Sequence, residues 1–372
     1  MTLQKHNVLI TLSTCGTSVL TNGASAADRA LLTALANAQE KDLSQEDARR
    51  VNALKEQRCA ALLGADINVQ RKMSAELNGL YSVLERWNAP AVSHILLHTD
   101  TALGSLCASL IDRVLKSNGT TSVEMASVPG LRTSNLKDFR FALSDLAKYL
   151  NDRLDDEVRK RAFVVFNLTG GFKSINAYLQ AVGMYFADRC VFQFESSHEL
   201  MELPRLYVEI ADERAIRESL SILRKLSVQY PVKGEGDLPG YDSQLLFEMD
   251  GELATTPWGE ILWMKHRKKL LSEKVEKPLS LHLVISGAVA KQFNDVKDME
   301  QRYRVNCALD HLSAYLDYGV ECPRAYQFKE IKGTPMGRST HEMYLWSDGA
   351  TGRLYGHFES HNFIADTIGD HL

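Results

Sequence analysis

Four polar clusters in this 372-residue sequence carry residue types that could do chemistry. The run Asn167-Leu168-Thr169-Gly170-Gly171-Phe172-Lys173-Ser174 joins two glycines to two hydroxyls and a lysine. Glycines let a backbone approach a ligand closely, and a lysine at a helix start complements a phosphate. The G-x-x-x-x-G-K-[ST] spacing of a nucleotide P-loop is absent, so a phosphate would be held differently. Ser13-Thr14-Cys15-Gly16-Thr17-Ser18, and Asp100-Thr101 with Gly104, offer further hydroxyls and a carboxylate. Each run alone is as readily plain turn geometry as a ligand site. The fourth cluster lies near the C-terminus. Strand parity puts Met343 and Leu345 on one face and Glu342, Tyr344 and Trp346 on the other; in the next run Leu354 and Phe358 oppose Arg353, Tyr355 and His357. One face is apolar, and its reverse holds an acid, a cation, phenols and an imidazole, the groups of proton transfer and phosphate binding. The polar outer face of an ordinary antiparallel sheet has the same pattern.

These clusters need elements to position them. Apolar runs at 8–12, 93–97 and 161–166 each precede a polar loop and then a helical pattern, the signature of a parallel α/β sheet covered on both faces. In such a sheet ligands sit outside the carboxyl ends of the strands, where the first three clusters fall. The stretch 26–87 is rich in Ala, Leu, Glu, Gln and Arg and reads as an inserted helical hairpin or arm. Over 201–278 the alternation weakens. A hairpin at Asp250-Gly251 and a helix begun by Pro257 suggest a small α+β connector, with the basic run 265–269 as a solvated helix face or, second to that, a contact for RNA or an acidic partner. From 279 the pattern predicts a strand (280–285), two helices (288–294 and 297–316) and three strands (341–346, 353–358, 363–368), antiparallel at the end.

Composition limits the partners. Lys and Arg total 43 against 47 Asp and Glu, a formal charge of −4, so no general polybasic surface for DNA or anionic membrane is expected. Six cysteines stand without a C-x-x-C pair, which predicts buried thiols, a reducing cytoplasm and no metal centre. No apolar run has membrane-spanning length and no signal segment opens the chain. No cofactor is expected.

Together the three N-terminal loops resemble the CARF domain, the cyclic-oligoadenylate sensor of type III CRISPR systems, in the branch found in CARF ribonucleases. Ser74-Ala75-Glu76-Leu77-Asn78-Gly79 is similar to that family too. The resemblance covers roughly residues 5–200. It implies a homodimeric Rossmann-like domain whose two-fold axis crosses the pocket, so that two copies of the same loops hold a symmetric ring of AMP units, by analogy cyclic tetra-adenylate. Thr14, Cys15, Gly16, Thr17, Ser18, Asp100, Thr101, Thr169, Gly170, Gly171, Lys173 and Ser174 would then line the ligand. Asp100 reads as the N-cap of the following helix in preference to a direct contact. Some CARF domains also cleave their ligand, which would make Thr169 and Lys173 suspects.

Residues 279–372 resemble the RelE/ParE toxin superfamily in element order and in F-K-E-I-K-G, H-E-M-Y-L-W, G-R-L-Y-G-H-F and I-A-D-T-I-G-D-H. The resemblance implies ribosome-dependent, metal-independent mRNA cleavage. Glu342 would be the base for the 2′-hydroxyl, with Tyr344 the alternative; Arg353 would bind the phosphate, His371 would be the acid, and Lys329 and Lys332 would position the backbone. This segment holds nine Lys and Arg against twelve Asp and Glu, a formal −3, whereas free RelE toxins are basic. Delivery to the ribosome by a protein contact would accommodate that charge. Arg304 and His311 also satisfy the loose R-x(4–6)-H pattern of HEPN ribonucleases, and a non-enzymatic CARF regulator is a third reading. The expected fold class is therefore α/β: a Rossmann-like CARF domain over 1–200 with its helical insertion at 26–87, a connector over 201–278, and a RelE-like α+β domain over 279–372 with two helices on an antiparallel sheet.

Overall fold

The computed structural model describes residues 7–132, 136–193, 199–203, 213–233, 242–332, 337–346 and 351–370. The chain divides into two compact units, Met1–Glu209 and Ile210–Leu372.

In the first unit, six strands form one sheet: β1 (Val8–Cys15), β2 (Ala91–His98), β3 (Ser122–Ala126), β4 (Ala162–Asn167), β5 (Arg189–Gln193) and β6 (Leu200–Leu203). Their order is β3-β2-β1-β4-β5-β6, parallel except for β6. β4 reads AFVVFN with every residue buried, because helices cover both faces of a parallel sheet. The strand order reverses between β1 and β4, which makes their carboxyl ends the topological switch point.

The helices of this unit are α1 (Ser18–Thr21), α2 (Ala26–Ala34), α3 (Gln45–Leu63), α4 (Ile67–Met73), α5 (Ala75–Arg86), α6 (Ala102–Ser117), α7 (Leu136–Arg153), α8 (Asp156–Arg161) and α9 (Lys173–Phe186). Ser25, Ser44, Asp66 and Ser74 cap α2 to α5, each accepting a first-turn amide, which is why this stretch breaks into four helices and not a two-helix hairpin. It is also not an arm. Leu32, Val51, Leu62, Leu77 and Leu80 share one core with Cys107 and Ile111 of α6.

The second unit begins with α10 (Glu213–Glu218), α11 (Leu220–Ser227), α12 (Asp242–Leu245), the hairpin β7 (Leu246–Met249) and β8 (Glu252–Thr255), and α13 (Pro257–Glu273). Asp250 at φ 55° and Gly251 at φ 80° make the left-handed pair that a two-residue hairpin turn requires. β9 (Leu283–Ile285), α14 (Gly287–Asp295), α15 (Met299–Tyr318), β10 (Phe328–Glu330), β11 (His341–Trp346), β12 (Gly352–Glu359) and β13 (Asn362–Asp370) follow. The sheet order is β10-β11-β12-β13-β9, antiparallel throughout except that β9 joins β13 in parallel.

Phe293 of α14 and Val305, Leu309 and Leu312 of α15 pack against Met343, Leu345, Leu354 and Phe363 of the sheet. Arg224 of α11 donates to both carboxylate oxygens of Asp310 on α15, at 2.6 and 3.1 Å, and to the Lys277 carbonyl at 3.0 Å. Burial pushes the Asp310 carboxyl up to about 6, although the adjacent Arg224 opposes that shift. One parity expectation fails. The β11–β12 register slips between Tyr344 and Trp346, so Trp346 packs against the apolar cluster instead of sharing the Glu342 and Tyr344 face.

Candidate functional site

The loops after β1 and β4 meet at the switch point and are in close contact there. A Cβ on Gly16 would come within 3.0 Å of Gly171, and one on Gly171 within 2.6 Å of Thr14. Gly171, at φ +85°, also needs the left-handed region that glycine tolerates. The Thr14 hydroxyl donates to the Gly170 carbonyl at 2.7 Å, tying one loop to the other.

At the centre of this contact is Glu76, at the start of α5 and 0% exposed. Its carboxylate accepts the Gly16 amide at 2.8 Å, the Ser74 hydroxyl at 2.7 Å and the Ser18 hydroxyl. A Cβ on Gly170 would stand 2.4 Å from that carboxylate. Asn167 donates to Ser13 Oγ at 3.2 Å and to the Glu76 carbonyl at 3.4 Å, and its Oδ1 accepts the Thr169 hydroxyl at 2.7 Å. Burial pushes the Cys15 thiol well above its usual range, with the Glu76 and Cys107 charges adding to the effect.

The residues expected to line a ligand therefore divide. Thr14 and Cys15 are buried and the Gly16 amide is occupied, so these three brace the loops. Thr17 and Thr169 are half-buried, and Lys173 and Ser174 are exposed at the start of α9, where Phe172 supplies no side-chain cap. Thr17, Thr169, Lys173 and Ser174 are groups of this set that are not buried. Asp100 does not cap α6. Thr101 does, accepting the Gly104 amide at 3.0 Å, while Asp100 accepts from Gln39 at 3.2 Å and from the Gly130 amide at 3.0 Å. The cause is local: Thr101 occupies the extended position directly before the helix. Glu76 went unrecognised as a keystone. Its sequence signal was only an acid in the first turn of a helix, a common placement.

In the second unit the reverse face of the sheet gathers Lys329, Glu342, Tyr344 and Arg353. Register sets Lys329 opposite Glu342, Glu342 opposite Tyr355, and Tyr344 opposite Arg353. Lys329 Nζ donates to the Tyr344 hydroxyl at 2.7 Å and lies 3.2 Å from Glu342 Oε1. The Tyr344 bond, and after it the Glu342 bond, holds the Lys329 ammonium above its ordinary range. The Arg353 guanidinium stacks on the Tyr344 ring with its carbon 3.8 Å from the centroid. Arg353 is 6% exposed, donates to its neighbour's Gly352 carbonyl at 3.1 Å, and keeps Nε without a partner. Arg132, Arg159 and Arg302 likewise keep a buried Nε without a partner, so what sets Arg353 apart is its place beside Tyr344, Lys329 and Glu342.

Lys332 stands exposed after β10, apart from this network. His371 lies outside the described residues. Among the described residues no cluster of three or more His, Cys, Asp or Glu could hold a metal. No helix among them is long and apolar enough to cross a membrane. All six cysteines are free. Arg304 and His311 share α15, but a sheet follows that helix, unlike an all-helical HEPN domain. His311 stacks on Tyr326, and burial holds its imidazole down at about 4.

The fold and loops define a class: an open α/β sheet with a glycine-rich switch-point site, followed in the chain by an α+β unit. Residues 71–206, a little over a third of the chain, match the CRISPR-associated protein family Cas_APE2256. That span includes Glu76, Asp100, Thr101 and the whole 167–174 loop. Among solved structures, Can2 from Sulfobacillus thermosulfidooxidans in complex with cyclic tetra-adenylate is similar at 11% identity and a TM-score of 0.24, covering 78% of this chain and 75% of that one. No curated protein matches.

Proposed function

We propose that this chain is a CRISPR-associated ribonuclease that binds cyclic oligoadenylate, cyclic tetra-adenylate above others, through the loops after β1 and β4, and cuts ribosome-bound mRNA with its C-terminal sheet. The sensing half rests on the CARF resemblance, the match of residues 71–206 to a CRISPR-associated family and the glycine-rich switch point. In this reading two chains pair so that one ring contacts Thr169, Lys173 and Ser174 of each. Ligand binding favours the state in which the sheet meets its substrate.

The observation that carries the cleaving half is the Lys329, Glu342, Tyr344 and Arg353 network with its unpartnered guanidinium nitrogen. Glu342 takes the 2′-hydroxyl proton as that oxygen attacks phosphorus. Arg353 and Lys329 bind the charge that grows on the phosphorane, and Tyr344 orients both cations. The P–O5′ bond breaks to give a 2′,3′-cyclic phosphate and a 5′-hydroxyl, and the resemblance assigns the proton for the leaving oxygen to His371. None of these steps asks for a metal.

The test is cleavage of a defined mRNA with and without cyclic tetra-adenylate and with and without ribosomes, by wild type, Arg353→Ala and Arg304→Ala. Cutting that needs both ligand and ribosome and is lost in Arg353→Ala is expected. Cutting of naked RNA lost only in Arg304→Ala would replace this reading with a HEPN-type one.

A further inference from the structure

We propose that His357, held by Asp366, is the general acid of the cleavage site. The inference rests on the function proposed above and reassigns one of its roles.

Three observations on β12 and β13 carry it. First, the strands slip register: Tyr355 opposes Thr367 and Gly356 opposes Ala365, leaving Asp366 as the unmatched residue of a bulge. Bulges re-aim side chains, and this one brings the Asp366 carboxylate to His357, with Oδ2 2.7 Å from Nδ1. Second, the carboxylate is itself fixed. Ser339 donates to Oδ2 at 2.8 Å, Arg338 reaches Oδ1 at 2.9 and 3.0 Å, and Ser286 holds the Asp366 carbonyl at 2.7 Å. Burial disfavours its charge, but the His357 and Ser339 bonds and the Arg338 charge outweigh that and keep it below the usual range. Third, with Nδ1–H committed to the carboxylate, the other ring nitrogen Nε2 has no partner among the described residues and is the one left to exchange a proton.

The position fits. Glu342 opposes Tyr355, so its diagonal neighbours on β12 are Arg353 and His357, each about 7–8 Å away. Strand parity puts both on the Glu342 face. Carboxylate, guanidinium and imidazole thus flank one span of sheet. The charged groups bearing on His357 are Asp366 from β13, Arg338 from the segment before β11, and Glu342 diagonally from β11.

The step balances without a further reactant. As the 2′-oxygen bonds to phosphorus, its proton passes to Glu342. As the P–O5′ bond breaks, the electron pair stays on O5′, which takes the Nε2 proton of imidazolium His357. Water then returns a proton to the imidazole and removes one from Glu342.

The experiment uses full-length protein, cyclic tetra-adenylate, ribosomes and an mRNA carrying either the ordinary linkage or a 5′-bridging phosphorothiolate at the cut site. A thiolate leaves without an acid. His357→Asn is the variant of choice because its amide can still donate to Asp366; His357→Gln is the second should the first fail to fold. On the oxygen linkage His357→Asn should lose about 10²–10⁴-fold in rate and Asp366→Asn about 10–100-fold. On the sulfur linkage both should return to within a few-fold of wild type, while Glu342→Gln stays impaired. An unimpaired His357→Asn, equal losses on the two linkages, or sulfur rescue of His371→Gln in its place would overturn the assignment while leaving the proposed function standing. No cleavage by wild type on either linkage would overturn the proposed function itself.

Discussion

At the β1–β4 switch a buried carboxylate, Glu76, is surrounded by donors of its own chain; on the C-terminal sheet, Arg353 is nearly as buried and keeps one donor idle. In the first region the polar groups consume one another, and what they produce is a loop geometry. Among the expected lining residues, Thr17, Thr169, Lys173 and Ser174 keep half-buried or exposed side chains. In the second region the charges are arranged across strands, with Arg353 Nε left without a partner. Hydrogen bonds satisfied internally build a cradle, whereas the Arg353 network leaves one buried donor open.

The largest expected effect breaks the cradle. Glu76→Ala leaves two buried donors and the part-buried Ser18 hydroxyl without an acceptor, at roughly 1–2 kcal/mol each for the buried pair and less for Ser18, so the first unit should lose about 2–5 kcal/mol in denaturant unfolding. Arg353→Ala should do the reverse: less loss of stability than Glu76→Ala, with cleavage down about 10²–10³-fold in a single-turnover assay. If Glu76→Ala proved as stable as wild type, the contrast between the two regions would fail.

Acid sharpens the same comparison. His94, fully buried in β2 with Nε2 unpartnered, is held by burial at about 4, below its ordinary 6.5. The unfolded chain takes up this proton first, so the stability of neutral His94 is complete above pH 6.5 and falls by about 3 kcal/mol as pH drops toward 4. His311 acts the same way in the second unit. There, however, Asp310 has a folded value of about 6 against an unfolded 3.8, so the folded chain protonates first and stability rises over that window as pH falls. Hydrogen exchange across pH 7 to 4 should show the first unit weakening more, and His94→Asn should flatten its acid limb. The smallest effect is a cap: Thr101→Ala should cost about 1 kcal/mol by thermal unfolding through loss of the Gly104 bond, and Asp100→Asn less than that.

Much of this was legible in the sequence. Uniformly apolar strands announced β1, β2 and β4; Asp250-Gly251 and Pro257 announced a hairpin and a helix; and parity placed Glu342, Tyr344 and Arg353 together. β3, β5 and β6 were not read, since runs such as SVEMA and LMEL are short and only partly buried. The stretch 26–87, expected as a helical hairpin or arm, is helical but forms four helices packed into the core, because helical spacing gives a face but not what that face touches. Trp346 and Asp366 were beyond sequence parity, because each bulge adds one residue, marked only by Gly352 and Gly356 on the facing strand. Thr14 was legible as a hydroxyl at the right loop, but whether it faces a ligand or the other loop depends on long-range contact with Gly170, 156 residues away.

The account turns on coupling between ligand and sheet. Its most direct measurement is the single-turnover rate of cleavage of ribosome-bound mRNA, with and without cyclic tetra-adenylate, for wild type and Arg353→Ala. Fast cleavage is expected only for wild type with ligand and ribosomes. Ligand-stimulated cleavage that Arg353→Ala leaves untouched would contradict it.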